Sequence, residues 1–347
     1  MGITGINNTL KGDEKKPGLC PEAFTEIELS RFSGYAIGID SSLWLFKAKS
    51  AALKDYYKSM LDPLDPINEE TIIDNIVKQF YGFVFKLCNA GITPVWIFDG
   101  KTHPAKIACD ARKAKRDVRK VDIEAERSRI RELSILERAH EIPNFVKKLL
   151  SCICITKKEI EAVKAEAEAL GLPSFTAPHD GEIFASALSR QRLLIGVWTT
   201  DTDTYACGAL LTFKGFSSGS YLEGTKVDVF VPAVVLDSLS ITQEQFRDLC
   251  IMHECDFNKR IPGFGPASIV RALEKNSWDL DQVRSSDPTK DWESLNLEEC
   301  REIFNGPCVD EYNIEMMKID RYKWEAKLRT KLFEIEYPPT PMMVELV

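Results

Sequence analysis

Three short apolar runs, separated by longer segments with helical periodicity, constrain the fold of this chain more than any other feature of its sequence. The runs are Tyr35–Ile39, Pro94–Phe98 and Leu193–Thr199, and Val227–Val231 continues the set less clearly. Short continuous apolar runs are typical of parallel strands that are buried on both faces. Strands that alternate with helices predict an α/β fold with a mostly parallel central sheet flanked by helices.

Local signals place helices between and after these strands. Apolar residues recur at helical spacing over Ile72–Cys88. A second helix, Glu159–Leu170, is expected to end before Gly171, since glycine readily takes the left-handed conformation that follows a helix. Thr242 and Gln245 have the spacing of a capping box, and the chain beyond about residue 240 is predicted to be mostly helical.

The charge of the chain is unevenly distributed. Its 347 residues carry a net charge of −8, which by itself counts against a nucleic-acid partner. Residues 101–150, however, hold fourteen basic and eight acidic side chains, and residues 101–120 hold eight basic side chains against Asp110 and Asp117. The segment is predicted to be an exposed helix or helix pair. It is either a solvated helical face or a phosphate-binding element, and composition does not decide between them.

Two further compositional features narrow the class of protein. No run of 18 apolar residues is present, so no membrane span is expected, and the N-terminal segment lacks the pattern of a signal peptide. The ten cysteines include no C-x-x-C pair, and Cys88, Cys207 and Cys250 lie in apolar surroundings. We expect buried thiols in a reducing intracellular compartment, nuclear if the source is eukaryotic.

Acidic residues follow each of the three predicted strands at its carboxyl end. Asp40 follows the first strand, Asp99 the second, and Asp201 and Asp203 the third. Ligands of open parallel sheets bind outside the carboxyl ends of the strands. A single such aspartate is more often a turn or cap residue, but three strands in succession favour a shared site.

Two more acids, Asp180 and Glu182, precede the apolar helical segment Ile183–Leu188 and either cap that helix or extend the cluster. Carboxylates a few ångströms apart do not stay ionised together without cations. Oxygen ligands favour Mg²⁺ or Mn²⁺, and five or more carboxylates exceed what one such ion takes. The pattern therefore predicts a two-ion site of the kind that activates water and stabilises a leaving oxygen at phosphorus.

A glycine-containing segment, I-P-G-F-G-P, reads as a hairpin between two helices. Gly263 and Gly265 would let backbone N–H groups approach a phosphate closely, although an ordinary glycine turn is the more frequent explanation. Asp256, just upstream, adds a seventh acid.

These residues, in this order, resemble the flap endonuclease and XPG-type family of structure-specific 5′ nucleases over roughly residues 1–275. The matching motifs are M-G-I-T-G at residues 1–5, I-G-I-D ending at Asp40, V-W-I-F-D-G around Asp99, A-P-H-D-G-E around Asp180, T-D-T-D ending at Asp203, and C-D-F around Asp256 with P-G-F-G-P. The resemblance implies a PIN-like 5′ nuclease fold with a helical arch insertion and a helix-hairpin-helix region. It also implies Mg²⁺-dependent cleavage of DNA near junctions of single and double strands.

The resemblance assigns a role to each candidate residue. One ion would be surrounded by Asp40, Asp99, Asp180 and Glu182, with Asp201, Asp203 and Asp256 nearer the second. The arch lysine of the family aligns with Lys106, and its second arch cation falls on Lys113 or the adjacent Arg112. The expected DNA contacts are Gly2, Phe46, Arg116, Gly263 and Gly265, and Phe46 would stack on a terminal base.

The implied organisation is a nuclease core with a helical extension. The core comprises residues 1–275: an N-terminal part (1–100), the arch and cap (about 101–158) and an internal part (about 159–275) that includes the helix-hairpin-helix (about 242–275). Residues 276–335 are expected to form a C-terminal helical extension, and 336–347 a mobile tail. The expected partner is branched or flapped DNA, and the chain is expected to be a monomer without a sliding-clamp motif at its C-terminus.

Several positions depart from the family pattern. Glu254 and Cys255 stand where the family has glycine and serine. Arg260 occupies the position whose side chain helps the family hairpin to bind a monovalent cation such as K⁺, so it either replaces the charge of that ion or abolishes the site. Ala267 replaces a frequent lysine. Two alternatives to a flap endonuclease stay open: an RNA-directed or purely exonucleolytic enzyme, and a DNA-binding scaffold with weak catalysis.

Overall fold

The computed structural model describes residues 2–13, 16–59, 64–106, 109–217, 226–312 and 321–336, without the side chains of 59, 109–117, 120, 311, 321–322 and 334–336. The strands within these ranges are β1 (Phe24–Glu28), β2 (Ala36–Asp40), β3 (Thr93–Phe98), β4 (Ser174–Thr176), β5 (Gly196–Trp198), β6 (Thr212–Phe216) and β7 (Lys226–Phe230). They form one sheet in the order β1-β7-β6-β5-β2-β3-β4.

The predicted mostly parallel sheet is confirmed. Strands β2 to β6 run parallel to one another, whereas β7 pairs antiparallel with β6 and with β1. The strand predicted at Tyr35–Ile39 is shifted by one residue from β2, and the one predicted at Pro94–Phe98 lacks only the first residue of β3. The third prediction was too long, because Leu193–Ile195 forms the bend before β5, where Leu194 is apolar owing to burial rather than to strand pairing.

Helices flank the sheet and connect its strands. They are α1 (Ile6–Lys11), α2 (Ser41–Ser59), α3 (Glu69–Asn89), α4 (Cys109–Arg131), α5 (Ile135–Ser151), α6 (Lys157–Leu170), α7 (Gly181–Arg190), α8 (Asp203–Ala206), α9 (Pro232–Leu239), α10 (Gln243–Met252), α11 (Pro266–Lys275), α12 (Leu280–Ser286), α13 (Leu297–Asn305) and α14 (Arg321–Glu336). Among the described helices, none combines the length and the apolar content that crossing a bilayer requires.

Local capping explains where several helices begin and end. The side chain of Asn68 accepts hydrogen bonds from two backbone N–H groups in the first turn of α3. Gly171 follows α6 with a φ of 81°, as its position in the sequence predicts. Thr242 and Gln245 form the predicted capping box at the start of α10.

Aromatic packing fixes α2 and α3 on one face of the sheet. Trp96 of β3 contacts Trp44 of α2 edge to face, with ring centroids 5.1 Å apart, and Phe80 of α3 at 4.9 Å. Val95 and Ile97 alternate with Trp96 along β3 and are buried in the cluster that includes α7, on the other face. The strand ends are therefore held between two packed layers, which gives their side chains fixed positions.

The basic segment folds into a helix pair, as predicted. Ile123 and Ile130 of α4 are buried together with Phe145 of α5 and Leu64. Ser134 opens α5 with a capping box. We call α4 and α5, with the segment that leads into them from Lys106, the arch. The predicted tail, 336–347, falls outside the described residues except for its first residue.

Candidate metal centre

The carboxyl ends of three neighbouring strands bring the predicted acids to one edge of the sheet. Strand β2 lies between β5 and β3. Asp40 is the last residue of β2, Asp99 follows β3 directly, and Asp201 lies three positions beyond β5. Because these strands are parallel, their acids gather at one place, as the sequence predicts.

Asp40 is held in a fixed orientation by two hydrogen bonds. Its Oδ2 accepts from Thr199 Oγ1 at 2.7 Å, and its Oδ1 accepts from the backbone N–H of Leu43 at 3.0 Å. Burial, and then the negative charge of Asp99, raises the pKa of Asp40 to about 7. Without a cation, this carboxyl is therefore only partly ionised at neutral pH.

The start of α7 supplies two further acids. Asp180 occupies the N-cap position of α7, but its side chain makes no capping hydrogen bond, so the extended-cluster interpretation fits it better than the capping one. The backbone N–H of Gly181 donates to Asp99 Oδ1 at 2.8 Å and ties the end of β3 to the start of α7. Burial, followed by the charge of Asp201, raises the pKa of Glu182 well above its ordinary value.

The turn after β5 completes the cluster. The backbone N–H of Asp201 donates to Thr199 Oγ1 at 3.0 Å, and that of Asp203 donates to Asp201 Oδ1 at 3.1 Å. Carboxylate oxygens of Glu182, Asp201 and Asp203 lie within 4.8 Å of one another. Burial raises the pKa of Asp201 and raises that of Asp203 well above the ordinary range.

The cluster has the properties of a site for hard divalent cations. Asp180 Oδ2 and Asp203 Oδ1 are buried and have no hydrogen-bond partner in the described part of the chain. A buried carboxylate oxygen without a partner is costly, and a bound cation removes that cost. Since every potential metal ligand in the cluster is a carboxylate oxygen, the residues fit Mg²⁺ or Mn²⁺ better than zinc.

Lys106 places a positive charge against these acids. Its Nζ lies 2.9 Å from Asp180 Oδ1 and 3.6 Å from Asp256 Oδ2, and 5.8 Å from the ring centroid of Phe257. Burial alone would lower the pKa of Lys106, but the charges of Asp180, Glu182 and Asp256 outweigh it and raise the pKa above its usual value. The ammonium is therefore charged and joins the start of the arch to the carboxylate cluster.

Gly2 packs directly against the acidic turn. Its φ is 93°, and a Cβ added to it would lie 2.2 Å from Asp201 Oδ1. The backbone N–H of Ile3 donates to Thr202 Oγ1 at 2.7 Å. The sequence predicts Gly2 as a DNA contact, and the structure adds that only a residue without a side chain fits beside Asp201.

The other predicted DNA contacts lie apart from the cluster. Phe46 is 43% exposed on α2, five residues after that helix begins. Gly263 has a φ of 86°, and Gly265 is the N-cap residue of α11. Their contact with DNA stays a prediction. The side chains of Arg112, Lys113 and Arg116 lie outside the described residues.

Among the departures from the family pattern, Glu254 has an unusual backbone conformation. Glu254 has a φ of 74°, in the left-handed region that favours glycine, and its carbonyl accepts a hydrogen bond from Thr4 N at 2.9 Å. Cys255 is buried, whereas Arg260 and Ala267 are exposed.

Sequence reasoning missed Thr199, which orients two of the acids. Thr199 donates a hydrogen bond to Asp40 and accepts one from the backbone N–H of Asp201. The T-T-D-T-D pattern places Thr199 close to a predicted ligand, and this closeness is the sequence signal that could have identified it. His179 Nδ1 lies 2.8 Å from the carbonyl of Lys101, and its ring contacts that of His103 at 4.6 Å. Partners this distant along the chain leave no local signal.

Two family models match the sequence. One, described as the XPG N-terminal domain, matches residues 1–122, and the other, described as the XPG I-region, matches residues 171–256. Together they cover more than half of the 347 residues. The first range contains Asp40 and Asp99, and the second contains the other five acids of the cluster.

Individual relatives agree with the family match. Flap endonuclease 1 of Cryptosporidium parvum is 27% identical to this chain, and the match covers 96% of this chain and 66% of that relative. Flap endonuclease-1 from Methanococcus jannaschii has a TM-score of 0.56 at 19% identity, over 89% of this chain and 97% of that chain. Human GEN1 in complex with Holliday junction DNA has a TM-score of 0.55 at 16% identity, over 96% and 79%. These structures show that the fold is the PIN-like 5′ nuclease fold.

Proposed function

The chain belongs to the XPG family, and on that premise we propose that it is a Mg²⁺-dependent, structure-specific 5′ nuclease. It would hydrolyse DNA phosphodiesters near junctions of single and double strands, as a 5′-flap endonuclease in replication, repair or recombination. The observation that carries the proposal is the convergence of buried, partly unpartnered carboxylates beside the Lys106 ammonium at one sheet edge.

The carboxylates are proposed to hold two divalent cations. One set is Asp40, Asp99, Asp180 and Glu182, and the other is Asp201, Asp203 and Asp256. When bound, such a pair of ions supplies an activated water and stabilises the leaving 3′ oxygen. The residues of the chain supply orientation: Thr199 holds Asp40, and the Gly181 N–H holds Asp99.

Lys106 is proposed to act on the scissile phosphate. In the structure its ammonium is paired with Asp180, 2.9 Å away. Cations bound by the carboxylates would weaken that pairing and leave the ammonium available to a phosphate oxygen, whose charge it would neutralise. Arg112 or Lys113 is proposed as the second cation of the arch on the resemblance alone.

Branched DNA is the proposed substrate. The human GEN1 structure contains Holliday junction DNA, and the Cryptosporidium relative is called a flap endonuclease. Phe46, exposed on α2, is proposed to stack on a terminal base. The backbone N–H of Gly263 is proposed to contact a duplex phosphate, whereas that of Gly265 donates to Ser268 Oγ at 2.7 Å in the structure.

Replacing Asp201 by asparagine tests the two-ion centre. Asparagine keeps the Oδ1 that accepts from Asp203 N but removes the charge. We expect cleavage of a 5′-flap substrate to fall by on the order of a hundredfold or more, with weaker Mg²⁺ binding in calorimetry. Asp228→Asn, at an exposed strand position, is the matched control. Undiminished cleavage by Asp201→Asn would sink the assignment, and absence of metal binding by the unaltered chain would favour the scaffold alternative.

The hairpin is proposed to use Arg260 in place of a K⁺ ion. Arg260 is exposed and lies three residues before Gly263. If its guanidinium supplies the charge, duplex affinity will not change when K⁺ is exchanged for Na⁺, and Arg260→Ser will weaken binding in both salts. Affinity that falls in Na⁺ alone would show that K⁺ binds there.

A further inference from the structure

The arch has a small apolar core, and one member of that core comes from outside the arch. The core comprises four buried side chains: Ile123 and Ile130 of α4, Phe145 of α5, and Leu64. Leu64 belongs to the connection between α2 and α3 and is fully buried. Its carbonyl also accepts a hydrogen bond from Arg131 Nη2 at 2.8 Å. The arch therefore contacts both the side chain and the backbone of a residue that belongs to the body of the molecule.

The connection that carries Leu64 is fixed to the body by further hydrogen bonds. The backbone N–H of Asn68 donates to Tyr56 Oη of α2 at 3.0 Å. The side chain of Asn68 accepts from two backbone N–H groups in the first turn of α3. The position of Leu64 is therefore set by α2 and α3 as well as by the arch.

Next to Leu64, a cavity of about 580 Å³ separates α4 from the body. Its lining includes Leu53 of α2 and Ile72 of α3 on one side, and Ile123 and Arg127 of α4 on the other. Across a gap of this size, facing side chains lose the close contacts through which packed helices hold one another. Leu64 therefore bridges a space that the side chains of α2 and α3 leave open.

The ion pairs between α4 and α5 do not replace this core. Lys148 pairs with Glu126, and Arg129 pairs with Glu141. The side chains of Lys148 and Arg129 are 60% and 52% exposed, and ion pairs that reach solvent contribute little to stability. The packing of the two helices therefore depends chiefly on the apolar core, of which Leu64 is one of four members.

We propose that Leu64 is a positioning residue, which completes the core of the arch and so holds α4 where its basic first half binds the single strand of a flapped substrate. The inference rests on the proposed nuclease function, in which the eight basic side chains of residues 101–120 bind phosphates. Leu64 is buried and apolar, so it acts through the arch and not on the substrate. Lys106 precedes α4 and is paired with Asp180, so the chemical step does not depend on Leu64.

Hydrogen exchange of the arch amides tests the place of Leu64 in the core. In Leu64→Ala, the amides of α4 and α5 should exchange at least about thirtyfold faster than in the parent, because loss of a leucine from a small core favours local opening. Leu64→Met conserves the volume, so its arch should exchange within about threefold of the parent. Leu136→Ala, at a position of α5 that is 85% exposed, is the matched control and should change nothing. Equal exchange in Leu64→Ala and Leu136→Ala overturns the proposal.

Single-turnover cleavage of a 5′-flap substrate tests the positioning role. Leu64→Ala should raise the enzyme concentration at half-maximal rate by about tenfold and leave the saturated rate within about twofold of the parent. Leu64→Met should restore the affinity for the flap. Binding of the same nicked duplex without a flap should not change, whereas a general loss of stability would weaken both complexes.

An unchanged half-saturating concentration in Leu64→Ala, or an equal loss of affinity for the duplex without a flap, overturns the positioning role. Absence of cleavage by the parent would overturn the nuclease function and with it the flap role of Leu64. The exchange result would still decide whether Leu64 completes the core of the arch, so the two failures are distinguishable.

Discussion

Gly2 and Glu254 both have left-handed backbone conformations beside the acidic cluster, with φ angles of 93° and 74°. A side chain at Gly2 would meet Asp201 Oδ1 at 2.2 Å, so its backbone and its surroundings both require glycine. Glu254 adopts a similar conformation with a side chain, at a cost of about 1–2 kcal/mol. The two positions make separate predictions, one about activity and one about stability.

Gly2→Ala is expected to reduce flap cleavage by about tenfold or more, because the added methyl displaces the Asp201 carboxylate from the ion site. Gly34→Ala is the matched control: its φ is 87°, but nothing lies within 4 Å of the added Cβ. Gly34→Ala should lose about 1 kcal/mol of stability and Gly2→Ala more than that, and only Gly2→Ala should bind Mg²⁺ more weakly. Equal cleavage by the two variants would contradict the close approach.

Glu254→Gly should raise the free energy of unfolding by about 1 kcal/mol, because glycine takes a positive φ without steric cost. Urea unfolding measures the change. Glu254→Gln keeps the Cβ and removes only the charge, so we expect its stability to equal that of the parent within about 0.5 kcal/mol. If the glutamine variant is stabilised as much as the glycine variant, charge repulsion and not backbone strain is the cause.

At the scale of elements, the segment between β3 and α4 has two structural roles. It enters the arch, and it carries Lys106 to the acids at the start of α7 and after α10. The arch helices pack on each other through their own apolar residues, among them Ile130 and Phe145. The position of the lysine therefore depends on a short connection rather than on the interior of the arch.

Lys106→Met is expected to lower flap cleavage by about a hundredfold, since a charged donor at the reacting phosphate is lost. Lys101→Met, five residues earlier and exposed, is the control and should cleave within about twofold of the parent. The rate of a single turnover with saturating enzyme separates this loss from weaker DNA binding. An unchanged single-turnover rate would mean that Lys106 serves only to neutralise the acids.

At the scale of the whole molecule, the acidic centre makes the stability of the metal-free protein depend on pH. Burial, and then the charge of Asp99, raises the pKa of Asp40 from its usual value near 4 to about 7. Between these values the folded protein keeps a proton that the unfolded chain has released. The unfolded state then binds fewer protons, so stability falls as pH rises through this range. The raised pKa values of Glu182 and Asp203 act in the same direction.

The metal-free chain should therefore lose up to about 4 kcal/mol of stability through Asp40 between pH 4 and pH 7, relative to an Asp40→Asn variant that lacks this carboxyl. Mg²⁺ should restore stability above pH 7 and have little effect at pH 5, where protons compete with it. Urea unfolding in EDTA and in Mg²⁺ measures both effects. If the stability of the parent, measured relative to Asp40→Asn, increases as the pH rises, the raised pKa of Asp40 is contradicted.

The sequence by itself determined the α/β class, the main strands and helices, and the acids that meet at the sheet edge. This was possible because burial on both faces imposes continuous apolar runs, and because parallel strands end on one side. Strands β1, β4 and β6 were missed: β4 has three residues, and β1 and β6 mix polar and apolar residues. Such segments become strands through their neighbours rather than through their own composition.

Only the tertiary structure decided how these parts meet. Four features join residues that lie far apart in the chain: β2 lies between β5 and β3, Thr199 donates to Asp40, Lys106 pairs with Asp180, and Gly2 closely approaches Asp201. The cavity between the arch and the body arises in the same way. Periodicity and spacing report local preferences, whereas contacts of this kind depend on how packed elements fit together, which no local pattern encodes.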